Sequence, residues 1–287
     1  MLLQNIIVSV LSRSRTYTSS ERFTERKLFY LERGHGQPVI LIHGTLNDLR
    51  VWQFQIESFA QKFHVVSYSR RYAYPNQWPG DGEDNNLTNN ATDLAELIIK
   101  RLDIGPAHLI GHSYGALTAL YMAYQHPQLV RTLVLGEPPV MSLLENNHNY
   151  SKDLYAIREN VQDAIRRGDM ERAVRIFLDG VMRKEGFFYQ LPYPARAVLM
   201  DNVKSLGGEL ACVSQRFTIE DAQKVTMPTL LVKGELSPKF LHQIIDILAS
   251  SLPNSEELII PAESHNLGIE KPQVFNTGVL EFLSIYS

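Results

Sequence analysis

Short apolar runs alternate along most of the chain with segments whose apolar residues recur every three or four positions. The runs are mostly aliphatic and are bounded by Pro, Gly or polar residues, which predicts buried strands. They lie at residues 27–32, 38–42, 64–68, 107–110, 131–136, 229–233 and 256–260. The segments between them predict helices at residues 48–63, 92–102, 114–125 and 272–287. This alternation predicts an α/β fold with a mostly parallel central sheet flanked by helices.

The pattern changes between residues 140 and 216, where no strand-like run occurs. Two apolar stripes with helical spacing fall at residues 154–165 and 174–181, and Pro194 begins a third helix that Gly207-Gly208 is expected to end. We therefore expect an all-helical cap insertion at residues 140–216, with residues 1–139 and 217–287 forming one discontinuous core domain. A length of 287 residues with 44% hydrophobic content suffices for one large core.

The segment that points most directly to chemistry is Gly111-His112-Ser113-Tyr114-Gly115. It carries the G-x-S-x-G pattern of a nucleophile elbow, in the strand–turn–helix setting that the motif requires. Three fixed positions match by chance in roughly one in ten chains of this length, so the flanking strand and helix carry the argument. Ser113 is the candidate nucleophile, and it needs a nearby base and donors for a developing oxyanion.

A second predicted strand supplies the candidate oxyanion donors. The strand at residues 38–42 runs into His43-Gly44-Thr45, and with this turn and the elbow the chain resembles the α/β-hydrolase family. The resemblance implies that the backbone amides of Thr45 and Tyr114 form the oxyanion hole. For the His43 side chain we expect a turn role, with hydrogen bonds to the backbone.

His265 is the candidate base. Among nine histidines, it alone lies in the loop between the last predicted strand and the closing helix. This ending resembles the strand–loop–His–helix ending of the family, including the Glu270-Lys271-Pro272 that follows. The resemblance implies that His265 acts first as base and then as acid.

The acid departs from the commonest pattern of the family. After the strand at residues 229–233 the family often has Asp, whereas this chain has Ser237 in that position, preceded by Glu235. One strand earlier, Glu137 follows residues 131–136 and precedes two prolines that fix its direction. The resemblance extends to subfamilies that place their acid at this strand end, including haloalkane dehalogenases and some lactone hydrolases. Glu137 is therefore the expected acid, and Glu235 is the alternative.

Together these residues favour a serine hydrolase that cleaves a small-molecule carboxylic ester, lactone or thioester through an acyl-enzyme intermediate. Ser113 argues against dehalogenase or epoxide hydrolase chemistry, because relatives with those activities use Asp as the nucleophile. Two other functions stay open. The resemblance also includes cofactor-free dioxygenases and C–C bond hydrolases that use the same triad, and hydrolase-like receptors that close over a ligand.

Two further segments bear on the substrate site. After the strand at residues 64–68 the family typically has an acidic, glycine-rich loop, but this chain has Ser69-Arg70-Arg71 and several aromatic residues. Either this is a surface loop with aromatic anchors, or Arg70 or Arg71 reaches the mouth of the site or holds the oxyanion loop. The aromatic residues at 187–189 and 193 predict a core for the insertion and indicate an apolar acyl or ring pocket.

Charge and cysteine content limit the partners. A net charge of −3 indicates no basic surface for nucleic acid, the single cysteine excludes an intrachain disulfide, and no Cys/His cluster has metal-site spacing. No apolar run approaches the about 20 residues of a membrane span. We expect a cytoplasmic enzyme with a small apolar substrate, no metal and no cofactor. We expect residues 1–20 to form an ordered element on the domain. Organellar targeting by those residues and the oligomeric state stay open.

Overall fold

The computed structural model describes residues 15–18, 27–76, 78–97, 102–144, 148–211 and 216–287. Its strands are β1 (Arg15–Thr18), β2 (Lys27–Arg33), β3 (Pro38–Ile42), β4 (His64–Tyr68), β5 (Ala107–His112), β6 (Val130–Gly136), β7 (Thr229–Gly234) and β8 (Ser255–Ile260). They form one eight-stranded sheet in the order β1-β2-β4-β3-β5-β6-β7-β8. β2 is antiparallel to both of its neighbours, and the other pairs are parallel. The predicted α/β fold with a mostly parallel sheet is confirmed.

The helices before the insertion are α1 (Gln53–Phe59), α2 (Leu87–Glu96) and α3 (Tyr114–Gln125). Those of the insertion are α4 (His148–Arg166), α5 (Met170–Met182), α6 (Phe187–Gln190), α7 (Tyr193–Asp201) and α8 (Leu206–Ala211). The chain ends with α9 (Ile219–Ala222), α10 (Lys239–Ser251) and α11 (Pro272–Ile285). Among the described helices, none combines the length and apolar composition needed to cross a bilayer.

Helices cover both faces of the sheet, which explains why the central strand β3 is apolar at every position. Ile40 and Ile42 of β3 pack in a core shared with α2, α3 and α10. Val39 and Leu41 point to the opposite face and pack in a second core with α1 and α11. A strand buried on both faces loses the alternation of polar and apolar residues, as the continuous run at residues 38–42 predicted.

The inserted helices have an apolar core of their own, between β6 and β7 in the sequence. Val161 of α4, Val174 of α5 and Phe188 of α6 belong to this cluster, and Leu46 from the loop after β3 joins it. As expected, the described residues of this region contain helices and no strand. The division into a cap at residues 140–216 and a discontinuous core stays a prediction.

Several predicted boundaries are wrong. The helix expected at residues 92–102 begins earlier, at Leu87, because the Asn86 side chain caps it by accepting from Asn89 N–H at 2.8 Å. Residues 98–101, within that expected helix, lie outside the described part of the chain. The helix expected at 48–63 is a 3₁₀ turn, Leu49–Trp52, followed by α1, which ends at Phe59.

Gly207-Gly208 does not end a helix, contrary to the expectation from its sequence. Both glycines lie in α8. A Cβ on Gly208 would stand 2.1 Å from Gly82 O, so this glycine permits close packing of two backbone segments. Of the expected N-terminal element, Arg15–Thr18 forms β1 on the edge of the sheet, whereas residues 1–14 and 19–20 lie outside the described residues.

Candidate active site

The candidate nucleophile lies at the turn from β5 into α3. Ser113 has a φ of 52° and a ψ of −122°, and its N–H donates to Gly136 O at 2.7 Å. The turn is tight, since a Cβ on Gly115 would stand 2.1 Å from Ile42 O. This strained conformation presents the Ser113 side chain at the carboxyl edge of the parallel strands, where α/β sheets bind their ligands.

Ser113, His265 and Glu137 form one hydrogen-bonded chain. The Ser113 hydroxyl donates to His265 Nε2 at 3.1 Å, and His265 Nδ1–H donates to Glu137 Oε2 at 2.5 Å. Because a carboxylate only accepts, the imidazole proton lies on Nδ1 and the Nε2 lone pair faces the hydroxyl. The structure thus brings together the three side chains expected from the sequence. The alternative acid, Glu235, is exposed and accepts from Ala262 N–H at 2.8 Å.

The Glu137 carboxylate is fully buried at the end of β6 and is held from several sides. Its backbone has a φ of 47°, its N–H donates to Val232 O at 3.1 Å, and its Oε1 accepts from Gly234 N–H at 2.8 Å. Burial raises the pKa of this carboxyl, but the His265 hydrogen bond and charge, with the Ser237 hydroxyl and the Gly234 amide, bring it below its usual value. Glu137 is therefore ionised at neutral pH.

A second histidine, whose role the sequence pattern did not indicate, supports the His265 loop. His112 Nε2–H donates to His265 O at 2.7 Å, and the two ring centroids are 4.8 Å apart. Burial, together with the charge of His265, lowers the pKa of His112 to about 4. His112 is therefore neutral and serves as a fixed donor. The variable position of the elbow motif does not reveal such a contact, because its partner lies far along the chain.

The two predicted oxyanion donors belong to residues that line the same cavity. Thr45 and Tyr114 both line the cavity that contains Ser113 and His265. The Tyr114 amide begins α3, the end of a helix that carries a partial positive charge. Gly44 brings the preceding turn close, since a Cβ at that residue would stand 3.1 Å from Ser113 Cβ. This arrangement fits amide donors directed at an oxygen beside Ser113.

Arg70 is only 1% exposed, and its side chain donates hydrogen bonds to the turn that precedes Thr45. Its Nε donates to His43 O at 2.9 Å, and its Nη2 donates to Gly44 O at 3.1 Å and to Glu209 Oε1 at 2.7 Å. His43 has the turn role that we expected: Nδ1–H donates to Gly44 O, and Nε2 accepts from Arg70 N–H. Of the two interpretations of this segment, Arg70 fits the one in which it holds the oxyanion loop. Arg71 instead pairs with acidic residues on and before α2.

A cavity of about 110 Å³ opens beside Ser113 and His265. Its polar wall includes Thr45, Ser142 and Glu209. The apolar wall comes from the start of α2, from α3, from the segment after β6, and from α5, α8 and α10. It consists of Leu87, Leu117, Pro139, Val140, Met141, Phe177, Val181, Leu210, Phe240 and Leu241. In the described part of the chain, no group of three or more His, Cys, Asp or Glu is arranged to hold a metal ion.

The aromatic residues at 187–189 and 193 do not line this cavity, although the sequence indicated a pocket role for them. Phe188 is buried in the core of the insertion, as one reading of the sequence expected. Tyr189 and Tyr193 are exposed on the surface. The apolar wall on this side of the cavity comes instead from Phe177 and Val181, which face inward from α5.

A family model described as alpha/beta hydrolase fold matches residues 37–272. With the sheet order, the elbow and the hydrogen-bonded triad in place, the chain belongs to the alpha/beta hydrolase fold family.

Similar proteins carry several activities in their names. The (E)-2-((N-methylformamido)methylene)succinate hydrolase of Acinetobacter baylyi is 33% identical over 115 residues, which span 38% of this chain and 41% of that protein. The non-heme chloroperoxidase CPO-A1 of Kitasatospora aureofaciens is 27% identical over 283 residues, covering 90% of this chain and 96% of that protein. The crystal structure of naproxen esterase (carboxylesterase NP) from Bacillus subtilis has a TM-score of 0.69 at 20% identity, covering 98% of this chain and 96% of that one. At this identity the structural likeness shows the fold alone.

Proposed function

We propose that this protein is a serine hydrolase that cleaves a small-molecule carboxylic ester, lactone or thioester through an acyl-enzyme intermediate. The observation that carries the proposal is the chain of hydrogen bonds from the Ser113 hydroxyl through His265 to Glu137, beside an apolar cavity. Acyl transfer through serine requires a nucleophile, a base and an orienting acid in this spatial order.

In the first half-reaction, the Ser113 oxygen attacks the carbonyl carbon while its proton passes to His265 Nε2. Glu137 keeps its hydrogen bond to Nδ1–H and stabilises the imidazolium. The negative oxygen of the tetrahedral intermediate accepts from the amides of Thr45 and Tyr114. His265 then protonates the leaving alcohol or thiol. In the second half-reaction it takes a proton from the water that hydrolyses the acyl-enzyme.

We assign the inserted helices the role of a cap. Phe177 and Val181 of α5 and Leu210 of α8 form part of the apolar wall of the cavity. Apolar cover over a serine nucleophile excludes bulk water and strengthens the hydrogen bonds to the oxyanion. This placement supports residues 140–216 as a cap on a core made of residues 1–139 and 217–287.

One relative supports hydrolysis as the reaction class, since the A. baylyi protein is named as a hydrolase. The cavity volume of about 110 Å³ agrees with an ester of modest size, and the cavity wall is apolar apart from a few polar residues. A small apolar acyl group is the substrate part that such a wall accepts.

The test combines rapid kinetics with covalent labelling. On mixing with p-nitrophenyl esters of short acyl chains, the protein should release a burst of p-nitrophenol equal to the enzyme concentration, and a fluorophosphonate should label Ser113. Ser113→Ala should abolish both signals, whereas Ser250→Ala, at an exposed serine of α10, should keep them. Ester turnover that survives Ser113→Ala would contradict the proposal, as would failure with every ester, lactone and thioester tried.

A further inference from the structure

Glu209 is a carboxylate of the insertion that reaches the candidate active site. It belongs to α8, is only 2% exposed and lines the cavity together with Ser113 and His265. Its Oε1 accepts from Arg70 Nη2 at 2.7 Å and from Asn85 Nδ2 at 3.2 Å. Its Oε2 is equally buried, and no donor from the described residues meets it.

The two oxygens of this carboxylate therefore differ. Oε1 is turned towards Arg70 and Asn85, and neither of these residues lines the cavity. Oε2 is consequently the oxygen without a protein donor, in a residue that lines the cavity. A buried carboxylate oxygen without a donor is costly, and such atoms in native proteins are usually satisfied by protein, water or ligand.

The charge of Glu209 limits which kind of ligand group can donate to Oε2. Arg70 lies 2.7 Å away and is as deeply buried, so the two charges already balance each other. A cationic ligand group would add an uncompensated charge to an apolar cavity, which is unfavourable. A neutral O–H or N–H group provides the missing hydrogen bond without adding a charge.

We propose that Glu209 Oε2 is a specificity-determining acceptor, and that the substrate is an apolar ester, lactone or thioester with a neutral hydroxyl or amide N–H directed at this oxygen. The inference rests on the proposed hydrolase function and adds to it one polar feature of the substrate. It also links the insertion to the oxyanion turn, because the same carboxylate holds Arg70, which donates to His43 O and Gly44 O.

The first experiment uses the unaltered protein and matched pairs of p-nitrophenyl acyl esters. Within each pair, one ester carries a hydroxyl on the acyl chain, and the other carries a methoxy group at the same carbon, which accepts but does not donate. The position of the group is moved along the chain from pair to pair. At one position, kcat/KM should favour the hydroxyl ester by about ten- to hundredfold, the range expected for a hydrogen bond to a charged acceptor. Equal rates within every pair would overturn the proposal.

The second experiment assigns that preference to Glu209. In Glu209→Gln the amide oxygen still accepts from Arg70, whereas the amide NH₂ replaces Oε2 as a donor. The preference for hydroxyl over methoxy should therefore fall to about one, since both groups accept from an NH₂. The control is Glu171→Gln, the same change at an exposed glutamate of α5, and it should keep the preference. A preference that persists in Glu209→Gln would overturn the assignment.

A binding measurement separates this inference from the proposed reaction. In Ser113→Ala, calorimetry with the free hydroxy acid and the free methoxy acid should show tighter binding of the hydroxy acid by a similar factor. If no ester is cleaved but this difference is found, the reaction proposal fails and the acceptor stands. If esters are cleaved through Ser113 without any difference, the acceptor proposal alone is overturned.

Discussion

The Glu137 carboxylate decides which ring nitrogen of His265 carries the proton. It accepts from Nδ1–H, which leaves Nε2 free to take the Ser113 proton. In Glu137→Gln the amide NH₂ can donate to Nδ1, and the imidazole proton then moves to Nε2, where it faces Ser113. We expect kcat to fall by about a thousand- to ten-thousandfold with little change in folding, measured by ester hydrolysis and thermal unfolding.

The matched control for that change is Glu235→Gln, at the exposed glutamate that the sequence offered as the alternative acid. Glu235 has no hydrogen bond to His265 and accepts from Ala262 N–H. We expect its activity to stay within about twofold of the unaltered protein, since changes at exposed sites are usually small. The assignment of Glu137 is wrong if Glu235→Gln loses more activity than Glu137→Gln.

The substitution Arg70→Lys tests whether the oxyanion turn, His43-Gly44-Thr45, depends on a guanidinium. Lys keeps the positive charge but loses the planar fork that donates to His43 O, Gly44 O and Glu209 together. We expect Arg70→Lys to lower kcat by about ten- to hundredfold through a displaced turn and to cost about 2–4 kcal/mol of unfolding free energy. Urea unfolding and ester kinetics measure the two effects separately.

The neighbouring arginine provides the comparison. Arg71 donates to Asp84 and Asp93, both on or before α2, and is more exposed than Arg70. Arg71→Lys breaks a bidentate pair with Asp93 and should cost about 1–2 kcal/mol, but it should leave kcat nearly unchanged because the partners of Arg71 lie on and before α2. Equal kinetic effects of the two substitutions would show that the oxyanion turn does not depend on Arg70.

At the scale of elements, two adjacent glycines in α8 should respond oppositely to the same substitution. A Cβ on Gly207 would meet only Ile165 Cδ1, at 3.8 Å, whereas one on Gly208 would stand 2.1 Å from Gly82 O. Gly207→Ala should stabilise the protein by about 0.5–1 kcal/mol through helix propensity. Gly208→Ala should destabilise it by about 1–3 kcal/mol, because backbone must move. The urea concentrations at the midpoint of unfolding measure both effects, and equal shifts in the two variants would contradict the packing role of Gly208.

Strand β5 contains a buried histidine that should make stability depend on pH. His108 Nε2–H donates to Gln37 Oε1 at 3.0 Å, and the Thr132 hydroxyl donates to Nδ1 at 2.8 Å. Burial, and then the positive charge of Arg131, lower the pKa of His108 from 6.5 to about 4. As the pH falls from 6.5 to about 4, the unfolded chain binds a proton at this histidine that the folded chain does not. The free energy of unfolding must therefore decrease over that range.

His108→Gln keeps a hydrogen-bonding side chain but removes the titration. Between pH 6.5 and 4 the free energy of unfolding of this variant should decrease by about 1–3 kcal/mol less than that of the unaltered protein. Urea unfolding at several pH values measures the difference. The exposed His35, changed to Gln, should leave the slope unaltered. An unchanged slope in His108→Gln would mean that this histidine titrates alike in the folded and unfolded chain.

The elements that the sequence predicted best are those whose pattern depends only on burial. β3 and β4 were predicted at their observed bounds, and in β3 the residues covered on both faces leave an uninterrupted apolar run. The start of α2 was missed for the opposite reason. Asn90, in its first turns, is buried and donates to Asn85 Oδ1, a contact that apolar periodicity cannot register.

At the scale of the whole molecule, the candidate site also contains residues whose convergence the sequence could predict and residues for which it could not. Ser113, Glu137 and His265 each follow a predicted strand, and parallel strands carry their carboxyl ends to one edge, so their convergence could be predicted. Arg70 also follows a predicted strand, and the sequence left open whether it holds the oxyanion loop, whereas Glu209 gave no such signal. Their pairing joins the loop after β4 to the last helix of the insertion, and only the packing of the insertion on the sheet brings them together.

The packing of the insertion depends on a second polar contact, centred on Asn202 after α7. This buried amide donates to Asp48 Oδ2 at 2.7 Å, and its Oδ1 accepts from Tyr74 N–H at 2.7 Å. Asn202→Ala removes one hydrogen bond from the buried Asp48 carboxylate and one from the half-buried Tyr74 N–H, so it should cost about 2–4 kcal/mol. Because both partners belong to loops that follow strands of the sheet, α7 and α8 should exchange amide hydrogens faster, and KM should rise more than kcat falls.

Asp201→Asn is the adjacent control, since Asp201 is half-exposed and pairs with Arg50 at 2.9 Å. It should cost less than about 1 kcal/mol and leave exchange unchanged. If Asn202→Ala lowers stability without faster exchange in α7 and α8, the amide stabilises the fold as a whole and does not specifically hold the insertion over the site.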